Sequence, residues 1–447
     1  MADPRDQPRT PPPTQGAPSR PDRGTPGEWL VVHARRRAPA LAAVAIFLVV
    51  SLSFTFLWGP VVRHTSLWVI PGDIWSTWRN AHMVGWGDIG AIYDPFYGLL
   101  TFPGIVVALA PFAMLSSHLG LTESIGRFTV LHPSGWLVLG PAMLLMGSLC
   151  LLAFDAMAEE LGVRRTRRVV LLAGEAAIVF LVVTLWGHPE DMLALGCAVY
   201  AVLTAEHGRW RPTGWLWGAA IVCQPLVLLL LLVVWSRVPR GRRTAFAARA
   251  VAPSAVLLAI PLATQWHMTT RAMLHQQNIL GLNHPTPWVA FTTRLGPDSV
   301  GAGPGRMVAL VVAGCIGLVA MRLRPSLLAL LWMGAVALTL RCVFESVMVP
   351  FYLGPPLALI LLVCVARPGS VRLVACSVAG VAVVLVSFRH WSEWLYWLPM
   401  VGLLGVALGC AWPGRSAFRH MEPPERPASS PGSAPAADIA IAESAAI

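Results

Sequence analysis

The sequence predicts an all-α, polytopic helical membrane protein of about ten to twelve apolar helices, and three observations lead there. Charged residues make up only 12% of the chain against 56% apolar ones, with a mean hydropathy of +0.64. A soluble domain carries about 25% charged residues, so most side chains here must be covered by lipid or by one another. Apolar runs of roughly 17–25 residues, the length that crosses a bilayer core, recur along the chain. The third observation is where the cations fall. There is no lysine, the net charge is +11, and the arginines gather in short clusters between apolar runs. Clusters placed in that way set topology and meet anionic headgroups, so nucleic acid is not expected as a partner.

The first run, 38–58, follows Arg35-Arg36-Arg37 and reads as an uncleaved span with its arginines held inside. Residues 1–37 and 413–447 are expected to be disordered cytoplasmic tails around a membrane domain at 38–412, because the polar, Pro-rich ends cannot bury enough apolar surface to offset the entropy of folding. Further runs lie at 99–117, 135–157, 169–187, 191–206, 214–235, 251–267, 306–321, 326–345, 347–366, 371–388 and 394–411. If all of them cross, the clusters at 164–168 and 209–211 fall on the side opposite Arg237, Arg240, Arg242 and Arg243. Two runs are broken, 99–117 by Pro103, Gly104 and Pro111, and 214–235 by Gly218 and Gln224-Pro225. If these two only dip in or lie along the interface, every arginine cluster shares one face, as the positive-inside rule prefers. All eight cysteines sit in apolar runs, without disulfide or zinc spacing.

That topology leaves two long outer connections, 59–134 and 268–305, rich in Trp, His and Pro, and long connections are commonly functional. In the first stands Gly72-Asp73-Ile74-Trp75, followed by Trp78, Asn80, His82 and Ile92-Tyr93-Asp94-Pro95. Asp73 is either a helix cap or, among aromatics at the membrane surface, a general base. On the same face, Trp186-Gly187-His188-Pro189-Glu190-Asp191 opens another run. Its acids suit a helix N-terminus, and three ligands within four residues cannot surround an ion unaided, so no metal is expected. Arg341 and Glu345 stand at i and i+4 near the outer end of their run, as a same-helix ion pair or the lining of a phosphate pocket. Glu175 lies alone in mid-span.

This order of features resembles the GT-C fold glycosyltransferases, in particular the polyprenyl-phosphate-mannose-dependent mannosyltransferases of actinobacteria. The likeness covers about residues 38–360. It rests on Asp73 with Trp75, then Tyr93 and the Pro-rich 101–111 stretch, then Gly187-His188-Pro189-Glu190-Asp191, a broken Gly-rich segment with a polar residue before proline, and a basic inner loop. Gln224 replaces a frequent lysine, and Phe102-Pro103 replaces paired prolines. The resemblance implies an inverting sugar transfer from a polyprenyl phosphate to a lipid or envelope-glycan acceptor at the outer face of a bacterial plasma membrane. Asp73 is then the base, with Trp75, Asn80, His188, Glu190, Asp191, Arg271, His284, Arg341 and Glu345 around the substrates. The lipid-linked sugar is a co-substrate, and no cofactor is implied. A transporter or flippase for a lipid-linked or polar solute, which also needs broken helices and intramembrane charge, is the alternative.

Overall fold

A computed structural model describes residues 34–62, 64, 68–94, 99, 102–121, 133–274, 278–280, 284–389 and 391–418. The expectations for Pro95, for residues 1–33 and for 419–447 fall outside these residues.

The chain is a helical membrane protein. In order come α1 (Ala38–Leu57), prolonged by a π-turn to Val62, α2 (Ile74–Gly85), α3 (Gly104–His118), α4 (Trp136–Ser148) and α5 (Cys150–Glu160). There follow α6 (Arg165–Val179), with a π-turn to Leu185, α7 (Pro189–Glu206), α8 (Trp210–Cys223), α9 (Leu228–Trp235), α10 (Arg243–Thr264) and α11 (Trp266–Leu274). The last five are α12 (Gly305–Leu323), α13 (Leu327–Phe344), α14 (Gly354–Ala366), α15 (Ser370–Ser387) and α16 (Glu393–Cys410). Among the described residues eight helical segments are long and apolar enough to cross a membrane, with α4 and α5 running on as one. Two more, α7 with its three carboxylates and the shorter α14, run between the same two faces.

Ion pairs fix one face. Arg37 and Arg168 both reach Asp155, at 2.9 and 2.6 Å, while Arg36 binds Glu159 at 2.8 Å. His207 meets Glu160 at 3.2 Å, and Arg237 meets Glu206 at 3.2 Å and the Pro325 carbonyl at 2.6 Å. The starts of α1, α6, α8, α10 and α13 therefore share the basic face. Both ends of the 210–235 segment sit there, since Arg209 N–H also donates to the Thr204 carbonyl at 2.8 Å.

Between those ends the segment is a hairpin. The residue before a proline is driven out of helical geometry, and Gln224, preceding Pro225, takes φ −150° and ψ 111°. α8 stops there, and α9 returns to the face it came from. The second broken run behaves differently. Gly104, at the start of α3, abuts the Val222–Cys223 backbone so closely that a β-carbon has no room. The far end of α3 lies by α4's start, where Gly135 meets Ser116 and Trp78. α3 thus lies along the face opposite the arginine clusters, beside α2, pinned by Trp78 Nε1 donating to His82 Nε2 at 2.8 Å and by Ser117 Oγ at 3.2 Å from His82 Nδ1. Neither segment carries the chain across. Cysteines substituted for Arg209 and Arg240, in a background free of native cysteines, are expected to react from the same side of the membrane; labelling from opposite sides would contradict the hairpin.

Short strands close the face opposite the arginine clusters. Asn278–Ile279 (β1) and Arg294–Gly296 (β3) flank Ser299–Val300 (β4), and His284–Pro285 (β2) pairs with Val347–Met348 (β5). Thr286 Oγ1 donates to the Glu345 carbonyl at 2.6 Å, and Trp288 and Trp397 both donate to the Val343 carbonyl at 2.9 Å. These bonds fix the end of α13, where Arg341 and Glu345 stand. At the other end the folded unit runs past residue 412: Arg415–Phe418 form a 3-10 turn, and Ser326 N–H donates to the Ala417 carbonyl at 2.9 Å. The boundary expected at 412 is therefore displaced, because Trp412 and Phe418 pack on Trp332.

Candidate active site

Asp73 and His188 are brought together by a turn that only glycine makes comfortably. Gly187 has φ +78° and packs against Pro71 and Ile74, so a side chain there is excluded on both counts. The turn sets His188 just ahead of Pro189, which begins α7 at the position where its missing N–H costs nothing. His188 Nε2 lies 3.2 Å from Asp73 Oδ2, and Nδ1 lies 2.8 Å from Glu190 Oε1. Both ring nitrogens face carboxylates, which only accept, an arrangement that favours the doubly protonated ring. Burial opposes that charge, but Glu190, the hydrogen bond to Asp73 and the charge of Asp191 outweigh it and hold the His188 pKa well above its ordinary value. Phe351 stacks beneath the ring at 3.7 Å.

Asp73 precedes α2, yet its side chain makes no capping bond. It is 55% exposed, and its hydrogen bond goes to His188 instead. Glu190 and Asp191 do occupy the first turn of α7, where the helix dipole favours them, but both are buried. Asp191 Oδ1 accepts from Gln224 Nε2 at the apex of the hairpin. Glu190 Oε2 and Asp191 Oδ2 have no hydrogen-bond partner among the described residues. Buried acceptors of this kind are costly unless a donor reaches them.

Across the site Arg306 Nε lies 2.9 and 3.0 Å from the two oxygens of Glu345, and Arg341 Nε lies 3.7 Å from Oε2. The i,i+4 pair expected from the sequence exists, but Arg306 is the closer partner. The Arg341 guanidinium also lies 3.9 Å over the Tyr352 ring. One carboxylate is thus shared by two guanidiniums. These groups border a cavity of about 300 Å³. One wall is polar, with His188, Gln224, Arg306, Arg341 and Glu345; another is apolar, with Leu226, Leu228, Leu229, Ala309 and Leu310. Asp73 is not in the wall and joins it through His188.

Six of the residues expected from the sequence thus converge: Asp73, His188, Glu190, Asp191, Arg341 and Glu345. Four do not. Trp75 stacks on Trp78 at 5.3 Å, and Asn80 is buried with its amide donating to the Ser76 carbonyl at 2.8 Å, so both serve the packing of α2. Arg271 is exposed on α11, although its neighbours Ala272 and Met273 line the cavity. His284 stacks on Tyr396 at 4.5 Å, over the start of α16. Residue type and loop membership suggested these four, but neither fixes the direction of a side chain. Gln224, Arg306 and Tyr352 enter from elsewhere. An arginine at the end of an apolar run away from the arginine clusters, where arginines are scarce, was a usable signal for Arg306. Among the described residues no three His, Cys, Asp or Glu side chains converge to hold a metal ion.

The raised His188 pKa has a measurable consequence. Stabilisation from such a group is complete below the unfolded value, about 6.5, and is lost as pH rises through the folded one. Wild type is expected to lose its melting-temperature advantage over His188→Gln as the pH is raised; curves that stay parallel would mean that His188 carries no charge in the fold. Compared with known proteins, the chain matches no family model, no curated protein and no solved structure.

Proposed function

We propose that the protein is an inverting glycosyltransferase of a bacterial plasma membrane, with both termini cytoplasmic. It takes a sugar, mannose or another hexose or pentose, from a polyprenyl phosphate at the outer face and gives it to a lipid or cell-envelope glycan. The observation that carries the reading is a carboxylate, Asp73, hydrogen-bonded to the edge of a cavity with an apolar wall and a two-arginine wall. An isoprenoid phosphate has that division of polarity.

In this reading the lipid chain lies along Leu228, Leu229 and Leu310, with its phosphate at Arg341 and Arg306. Asp73 takes the proton of the acceptor hydroxyl as its oxygen attacks the anomeric carbon from the side opposite the phosphate. The anomeric C–O bond breaks, and the leaving phosphate carries the electron pair toward the arginines, which neutralise the developing charge. His188, donating to Asp73 and Glu190, orients the base. Glu190 Oε2 and Asp191 Oδ2 can accept from sugar hydroxyls. No nucleotide is needed.

The test is transfer of radiolabel from polyprenyl-phosphate sugars to a membrane lipid extract by protein in nanodiscs. Absence of product with every such donor would overturn the reading. One observation favours a transporter or flippase instead: a helix broken at Gln224, with its apex on a buried carboxylate, is also how transporters build midplane sites. Movement of labelled polyprenyl phosphate across proteoliposomes, with no covalent product, would select that alternative.

A further inference from the structure

A second cavity of about 650 Å³ lies away from the active site, between α12 and α13 near the basic face. Its α12 wall is the stripe Val312, Cys315, Ile316, Val319 and Leu323, spaced so that one helix face lines it throughout. From 312 to 323 the stripe covers about 16 Å at 1.5 Å per residue, roughly half of a hydrocarbon core about 30 Å thick. The groove therefore has the depth of one leaflet. Its basic end is closed by the 411–418 segment, with Trp412 and Phe418 stacked at 4.9 Å and Trp332 anchored through Nε1 to the Leu408 carbonyl at 3.0 Å. Among the described residues the only charged side chain in its lining is Arg415. Arg322 and Arg324, adjoining Leu323, are exposed at the same end.

We propose that this groove is a binding site for one anionic phospholipid of the leaflet at the basic face. An acyl chain lies along the α12 stripe, and the phosphate sits at Arg415 with Arg322 and Arg324 nearby. Three features together separate the site from ordinary lipid contact. The groove has a length that matches a single acyl chain, an aromatic end-stop tied to the α12–α13 turn through Ser326, and cations only at headgroup depth. The exposed face of α15, with Val371, Val374 and Val378, has comparable apolarity and serves as the reference surface.

Nanodiscs holding the full chain and a photoreactive-acyl phosphatidylglycerol, or the matching phosphatidylcholine at equal mole fraction, test this by mapping crosslinked peptides. Phosphatidylglycerol is expected to label 312–336 about fivefold more than phosphatidylcholine, with Arg415→Gln removing most of that preference, the scale of one arginine near an anionic surface. Val319→Trp, which fills the groove, should abolish labelling there while the 371–385 peptide is labelled as before. An unchanged melting temperature shows that either variant is folded. Equal labelling by both lipids, with no effect of Arg415→Gln, would make the groove ordinary annular surface and overturn the proposal. No labelling of 312–336 by either lipid would overturn it as well.

Discussion

Asp73→Asn is expected to lower sugar transfer by ~100–10,000-fold, the range of a general base, with the melting temperature unchanged. The amide keeps the shape of the carboxylate and can still accept from His188, but it cannot take the acceptor's proton. Stability should hold because the Asp73 side chain is half exposed and makes no capping bond to α2. A capping role predicts the reverse, a loss of stability with activity kept. Retention of more than about a tenth of the wild-type rate would remove Asp73 from the mechanism, given that range.

The largest stability effect is expected at Glu345. Its carboxylate is 1% exposed and lies between Arg306 and Arg341. Glu345→Ala removes the carboxylate that both guanidiniums share, and breaking a buried pair in that way costs about 3–5 kcal/mol. The measurement is heat inactivation together with the melting temperature in detergent. Combining Glu345→Ala with Arg306→Met should lose less than the sum of the two single changes, because the double change removes an uncompensated charge. Additive losses, or a cost for Glu345→Ala below about 1 kcal/mol, would mean that the cluster is solvated and unfit to hold a phosphate.

The membrane class and the shared face of the arginine clusters were legible in the chain because they depend on averages. Charge poverty, the lengths of apolar runs and the grouping of arginines survive any uncertainty about single side chains. The break at Gln224-Pro225 was equally local: a proline dictates the geometry of the residue before it. The motif at 187–191 was legible for a similar reason, since glycine, proline and acids at a helix start each obey a backbone rule.

Which residues share a site was decided only by the tertiary structure. Asp73 and His188 are 115 residues apart, and Arg306 and Glu345 are 39 apart. Their meeting depends on the height at which the hairpin apex stops, on the turn at Gly187, and on the bonds of Thr286 and Trp288 that hold the end of α13. Trp75, Asn80, Arg271 and His284 have the residue types and the loop positions of a site, yet packing holds three of them elsewhere and Arg271 stands exposed. Composition and periodicity record which residues must avoid water. They do not record direction, which is set by contacts between segments far apart in the chain.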